Sequence, residues 1–124
     1  LVYKHELQDW ETRPDIDLVV TVDPGGETTD WKGKVGFVPH VVEQLAPPSE
    51  NTVAIVCGPP IMIKFTLPLL EKLGFTPDAV YTTLENRMKC GHGKCGRCNT
   101  GTSFICKDGP VYTLAQLREL PAEY

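Results

Sequence analysis

Four of the five cysteines in this chain lie in one short segment, and their spacing suits an inorganic centre. They are Cys90, Cys95, Cys98 and Cys106, in the pattern C-x4-C-x2-C-x7-C. A tight loop of this kind can direct several sulfurs onto one centre without ligands from distant parts of the chain. The opening C-x4-C-x2-C is the plant-type spacing of [2Fe–2S] proteins, in which the fourth cysteine follows later. The spacing therefore predicts a [2Fe–2S] cluster held by these four thiolates.

Three alternatives for this segment stay open at the level of the sequence. Four cysteines also build structural zinc sites, although those usually present two C-x2-C pairs and this segment has one. Disulfides need an oxidising compartment, and the N-terminal residues do not resemble a signal peptide. His92 could replace one cysteine, as histidines do in Rieske centres. The absence of secretory features favours a reducing compartment, and we expect the protein to be cytoplasmic.

Basic residues surround the cysteines. Arg87, Lys89, Lys94 and Arg97 lie beside or between them, and no acidic residue occurs between Arg87 and Asp108. Nearby cations stabilise a negatively charged iron–sulfur centre and raise its reduction potential. The same charges could form a docking face for a redox partner, or simply a solvated loop.

Length and composition limit the remaining possibilities. The chain has 124 residues, which suits one domain. Twelve Lys and Arg against sixteen Asp and Glu give a net charge of −4, so the composition does not indicate nucleic-acid binding. The sequence also has no apolar run long enough to cross a membrane.

Apolar periodicity predicts an α/β fold with strands and helices in alternation. Runs rich in β-branched residues predict three buried strands, at Ile16–Val22, Thr52–Val56 and Ala79–Leu84. Spacings of three and four residues predict four helices: Lys4–Trp10, Val38–Leu45, one from Met62 to Leu73, and a short one capped by Thr113 and Gln116. This order is typical of a parallel sheet covered by helices, here a partial Rossmann-like sheet.

The second predicted strand ends in Cys57-Gly58-Pro59-Pro60, a rigid turn that would let a planar ligand approach the sheet edge. The N-terminus of the following helix would offer N–H groups to an anionic part of that ligand. Cys57 could instead be a small buried apolar side chain at a strand end. A dinucleotide fingerprint is missing from the first βα turn, so either nucleotide binding is absent or the first βα unit precedes Leu1. The abrupt start favours the second interpretation.

Together these residues resemble the ferredoxin–NADP reductase superfamily. Val56-Cys57-Gly58-Pro59-Pro60 with Met62 is similar to its nicotinamide-side motif. The segment from Leu84 to Cys98, and Cys106-Lys-Asp-Gly-Pro-Val111, are similar to the C-terminal cluster segment of one branch. That branch contains hydrogenase (sulfhydrogenase) gamma subunits, the corresponding subunit of anaerobic sulfite reductase and, as a relative, the electron-transfer subunit of dihydroorotate dehydrogenase. The short x7 gap favours the first two.

The resemblance implies an electron-transfer fragment of a larger NAD(P)H-dependent oxidoreductase subunit. It implies a truncated NAD(P)-binding module at residues 1–85, a cluster-binding segment at 86–112 and a C-terminal helix at 113–124. Cys57, Gly58 and Pro59 would lie beside nicotinamide and flavin, and NAD(P)H and FAD would serve the full-length subunit. The partners would be other subunits of a hydrogenase or sulfite reductase assembly, without nucleic acid or a membrane span. The alternative function is a non-redox binding module with a four-cysteine zinc site.

Overall fold

The computed structural model describes residues 2–84 and 88–121, so Arg87 and the adjoining Glu85 and Asn86 lie outside the described residues. The chain forms two compact units, residues 1–41 and 42–124. The helices are α1 (Lys4–Glu11), α2 (Val38–Leu45), α3 (Pro60–Lys72), α4 (Ile105–Asp108) and α5 (Leu114–Leu117), with a 3-10 turn at Pro77–Ala79. The strands are β1 (Thr21–Val22), β2 (Lys34–Val35), β3 (Ala54–Val56), β4 (Val80–Thr83), β5 (Asn99–Thr100), β6 (Ser103–Phe104) and β7 (Val111–Thr113).

The first unit holds a short parallel pair of strands. β1 pairs with β2 in the register Thr21 to Lys34 and Val22 to Val35. The predicted strand Ile16–Val22 is therefore too long, because only its last two residues have a ladder partner in the described part of the chain. A strand exists only where its backbone groups are paired, and β2 itself is two residues long.

The second unit is built on a three-stranded sheet in the order β3-β4-β7. β3 and β4 run parallel, which confirms the predicted α/β class with a partial parallel sheet. β7 adds an antiparallel strand on the other side of β4 that the periodicity did not predict. Three residues are too few to show alternation, and β7 is held instead by its pairing with β4.

One face of this sheet carries the core. Val56, Thr82 and Tyr112 lie side by side on β3, β4 and β7 and are all buried. The side chains that complete this core come mainly from α3, α5 and the cysteine segment: Ile63, Leu67, Leu70, Cys98, Ile105, Leu114 and Leu117. The opposite face carries Ile55 and Tyr81, which are exposed. The cysteine segment is therefore part of the hydrophobic core of the second unit.

α2 has the predicted boundaries, α3 begins two residues before and ends one residue before the predicted helix, and α5 is shorter than predicted. α2 spans Val38–Leu45 as predicted, and α3 continues through Pro68 to Lys72. The predicted capping box of α5 is present, since Thr113 and Gln116 exchange side-chain and backbone hydrogen bonds. The helix ends at Leu117, earlier than the predicted C-terminal helix, because the next residues form tighter turns before Pro121.

Candidate metal centre

A β-hairpin brings the last two cysteines of the segment together. β5 and β6 pair antiparallel, with Asn99 opposite Phe104 and a turn that places Gly101 at a φ of 61°. The ladder continues one step further, where the Ile105 N–H donates to the Cys98 carbonyl at 3.2 Å. Cys106 then lies in the first turn of the helix α4. A loop of seven residues is therefore long enough to return the chain beside Cys98.

Backbone N–H groups point at three of the four sulfurs. The Gly93 N–H donates to Cys106 Sγ at 3.2 Å, and the Cys95 N–H donates to Cys90 Sγ at 3.4 Å. The Cys106 N–H donates to Cys98 Sγ at 3.5 Å. Each of these bonds joins two parts of the cysteine segment, so the segment is organised around its own sulfur atoms. N–H···S hydrogen bonds also stabilise thiolates and reduced iron–sulfur centres.

The pKa values of two thiols reflect this arrangement. The backbone N–H groups of His92 and then Cys95 lower the pKa of the Cys90 thiol to about 6. The Cys98 side chain, followed by desolvation, raises the pKa of the Cys106 thiol. Negative charge on Cys98 and Cys90 contributes to this second effect because like charges oppose ionisation. The lowered pKa favours the thiolate form of Cys90, which is the form that binds metal.

Burial differs between the four cysteines. Cys98 is 2% exposed and belongs to the hydrophobic core, whereas Cys95 is exposed. Cys90 and Cys106 are intermediate. None of the four is in a disulfide. A centre bound here would be anchored to the core at Cys98 and open to solvent at Cys95.

The donor set fits an iron–sulfur centre. It offers four thiols in one segment, with backbone donors aimed at three sulfurs and glycines at positive φ between them, such as Gly91 at 75° and Gly93 at 77°. Glycine adopts such angles without the steric cost of a Cβ, so both residues suit the close turns between ligands. In residues 2–84 and 88–121, no three His, Cys, Asp or Glu side chains form a group suited to a single metal ion.

His92 has a backbone partner within the segment. Its Nδ1 lies 2.6 Å from the Cys90 carbonyl oxygen. A carbonyl oxygen can only accept, so this ring nitrogen carries the hydrogen and donates. Nδ1 is therefore occupied, which weakens the case for a Rieske-type histidine ligand through that atom.

The second predicted site lies at the carboxyl end of β3. Cys57 is exposed, so the alternative of a buried apolar side chain is wrong. The Thr83 hydroxyl, at the end of the neighbouring parallel strand β4, donates to Cys57 Sγ at 3.3 Å. Gly58 and Pro59 are exposed and lead into the N-terminus of α3. Sequence reasoning did not single out Thr83, although its place at the end of a strand parallel to β3 is the signal that could have found it.

The basic residues of the cysteine segment form a cationic rim, which consists of Lys89, Lys94, Arg97 and Lys107. Within the described residues none of these four forms an ion pair. The Lys107 side chain lies against the Gly93 backbone. A Cβ added to Gly93 would be 3.4 Å from Lys107 Cδ. The cationic rim therefore remains available to an acidic surface.

The matching families agree with this geometry. Residues 1–67 match the family model for the oxidoreductase NAD-binding domain, which covers more than half of the chain. The chain belongs to this family. Residues 85–118 match a second family model, the iron–sulfur cluster binding domain of dihydroorotate dehydrogenase B. The predicted membership of the ferredoxin–NADP reductase superfamily is thereby confirmed, and the iron–sulfur interpretation is favoured over zinc.

Several of the similar proteins are named as subunits of oxidoreductases. The sulfhydrogenase 1 gamma subunit of Pyrococcus furiosus is 35% identical over 98% of this chain and 43% of its own length. The sulfhydrogenase 2 gamma subunit of the same organism is 53% identical over 52% of this chain and 24% of its own length. A probable dihydroorotate dehydrogenase B electron transfer subunit of Thermococcus kodakarensis is 34% identical over 77% of this chain and 36% of its own length.

Three further findings describe this member of the NAD-binding family. It spans less than half the length of the curated relatives it matches. No solved structure matches it significantly. Among the helices of residues 2–84 and 88–121, none combines the length and apolar character required to cross a bilayer.

Proposed function

We propose that this chain relays electrons between NAD(P)H, FAD and a [2Fe–2S] cluster and passes them to a catalytic partner. The partner is another subunit of the same oxidoreductase, of hydrogenase or sulfite reductase type. The observation that carries the proposal is the set of backbone N–H groups directed at the sulfurs of Cys90, Cys98 and Cys106. The match of this region to an iron–sulfur domain supports it.

The four cysteines would hold the centre together, and Cys98 and Cys95 differ in their exposure to solvent. Cys90, Cys95, Cys98 and Cys106 are the proposed ligands, and the centre they hold would accept and release one electron at a time. Cys98 ties it to the core, and the backbone donors favour the more negative, reduced state. The exposed Cys95 leaves one side open, where electrons can reach a docked partner.

The nucleotide is proposed to bind at the carboxyl end of β3, beside Cys57, Gly58 and Pro59. These residues are exposed at the edge where ligands of parallel sheets usually bind. The N-terminus of the thirteen-residue helix α3 begins at the same turn and can face an anionic group. The NAD-binding family match, which includes these residues, supports this placement.

The domain organisation follows from these sites. We assign residues 1–85 to the NAD(P)-binding module, 86–112 to the cluster segment and 113–124 to a C-terminal segment that begins with the cap and helix α5. FAD is proposed to serve the full-length subunit, as the resemblance to the ferredoxin–NADP reductase superfamily implies. A cytoplasmic location is supported by five free cysteines, which persist in reducing compartments.

Composition analysis after anaerobic purification tests the cluster. We expect two iron atoms and two acid-labile sulfides per chain, a visible spectrum, and an EPR signal on reduction. A colourless protein with one zinc and no labile sulfide would instead establish the zinc-binding alternative.

Dye reduction tests whether electron transfer from NAD(P)H requires the flavin. We expect the chain alone not to transfer electrons from NAD(P)H to a dye acceptor, and to do so after addition of a flavoprotein partner domain. Turnover by the isolated chain without added flavoprotein would contradict the proposed role of FAD.

A further inference from the structure

The buried hydroxyl of Tyr112 has no hydrogen-bond partner in the described residues. Tyr112 is 6% exposed and sits on β7 opposite Thr82, on the face of the sheet that carries the core. A buried hydroxyl without a partner is costly, and native structures usually explain such groups by a water, ion or cofactor. Tyr112 is neither a proposed cluster ligand nor part of the proposed nucleotide site.

The hydroxyl lies against the part of the chain that carries the last cysteine. A Cβ at Gly109 would be 2.6 Å from Tyr112 Cζ and 2.7 Å from its oxygen. Gly109 follows Cys106 by three residues, and its N–H closes α4 by donating to the Ile105 carbonyl. Tyr112 also belongs to the buried cluster that contains Cys98. The phenol therefore packs against the C-cap of α4, the helix that carries Cys106.

The electrostatic surroundings keep the hydroxyl protonated. Burial raises the pKa of Tyr112, and negative charge on Asp108 and Cys98 raises it further. Asp108 Oδ2 already accepts a hydrogen bond from the Phe104 N–H at 2.7 Å. A buried, protonated phenol is a donor in need of an acceptor.

We propose that the Tyr112 hydroxyl would donate a hydrogen bond to a sulfur of the bound cluster and thereby raise the cluster's reduction potential. The inference rests on the proposed function, because it needs the cluster. Reduction of the cluster by one electron, supplied from NAD(P)H through FAD under the proposed function, would leave the hydroxyl proton on oxygen and would form or break no covalent bond. A neutral donor stabilises the more negative state, as hydrogen bonds to sulfur do at other iron–sulfur centres.

A redox titration of the full chain, purified anaerobically with its cluster and followed by EPR, tests the role of the hydroxyl. Tyr112→Phe removes only the hydroxyl. At the midpoint potential of the wild type, we expect the ratio of reduced to oxidised cluster to be roughly threefold to tenfold lower in Tyr112→Phe than in the wild type. A tenfold change corresponds to ~59 mV for a one-electron couple. Tyr81→Phe is the matched control, since Tyr81 lies on the exposed face, and its midpoint should equal that of the wild type.

The outcomes separate this inference from the proposed function. Equal midpoints for Tyr112→Phe and wild type, with normal iron and sulfide, would overturn the inference alone. Wild-type chain without iron and labile sulfide would overturn the proposed function.

A second substitution keeps the test valid if Tyr112→Phe fails to fold. Site-specific 3-fluorotyrosine at position 112 keeps the ring and makes its hydroxyl a stronger donor. We expect its midpoint to lie above that of the wild type, and an unchanged or lower midpoint would overturn the role of the hydroxyl.

Discussion

At the scale of single residues, the four clustered cysteines are chemically unequal. Cys98 is buried in the core and Cys95 is exposed, while Cys90 has a lowered thiol pKa and Cys106 a raised one. Cys57 lies apart in the sequence and has the Thr83 hydroxyl as its partner. These environments predict that Cys-to-Ser substitutions at different positions will have different effects on iron binding.

Cys98→Ser should lower iron affinity at least about tenfold, since loss of a ligand exceeds the typical effect of losing a supporting contact. Iron and labile sulfide per chain, with the EPR spectrum, measure this. Cys57→Ser is the control and should leave the iron content unchanged, because Cys57 is placed at the nucleotide end. Equal iron content in the two variants would contradict the ligand assignment.

Gly109→Ala should destabilise the protein by about 1–3 kcal/mol, as overpacking of a core does. The new Cβ would lie 2.3 Å from Tyr112 Cε2, and the buried ring has little room to move. Urea unfolding of the cluster-free protein measures the loss. Gly58→Ala is the control, since its Cβ would meet only the flexible end of Met62. A larger loss in the control would refute the packing argument.

At the scale of elements, short pieces of secondary structure position the site. The β5–β6 hairpin places Cys98 and Cys106 side by side, and α4 carries the second of them. β7 and α5 then secure the segment to the sheet, since Tyr112, Leu114 and Leu117 are buried in the same core. The cap of α5 therefore affects the stability of the whole second unit.

Thr113→Ala removes the side-chain oxygen that accepts the Gln116 N–H at 3.1 Å. Loss of an N-cap typically costs about 1 kcal/mol, and we expect a decrease of this size in the free energy of unfolding. Thr102→Ala, in the exposed turn of the hairpin, is the matched control and should change stability by less than ~0.5 kcal/mol. Chemical denaturation compares the two, and equal effects would argue against the capping box.

At the scale of the whole molecule, charge is distributed unevenly. The chain has a net charge of −4, yet its cysteine segment carries the cationic rim of Lys89, Lys94, Arg97 and Lys107. Such a local excess of positive charge attracts acidic surfaces and accelerates their encounter, with strong dependence on salt. We therefore expect the partner to approach through this rim.

Exchanging Lys94 and Arg97 for Glu should slow electron delivery to the catalytic partner roughly tenfold or more at low salt, with a smaller effect at high salt. Stopped-flow reduction of the partner at several ionic strengths measures this. Lys64→Glu on α3 reverses a charge outside the cysteine segment and is the control. Rates that do not respond to either charge or salt would exclude docking through this rim.

Much of the fold was predictable because it depends on local sequence. The boundaries of α2 and the capping box of α5 come from side-chain spacing and from hydrogen bonds within one turn. β7 was missed and the first strand was predicted too long, since pairing with a neighbouring strand determines both. Three or fewer residues in a ladder leave no periodic pattern in the sequence.

The sequence by itself determined which few chemistries this protein can support, because C-x4-C-x2-C-x7-C and the turn at Cys57 are local patterns whose residue types limit the possible ligands. The tertiary structure decided how those residues are used. It buried Cys98 and exposed Cys95, directed N–H groups at three sulfurs, and left the Tyr112 hydroxyl buried without a partner among the described residues. Burial depends on strands and helices distant in sequence, and the direction of these hydrogen bonds depends on how the cysteine segment closes on itself, so cysteine spacing alone contains neither.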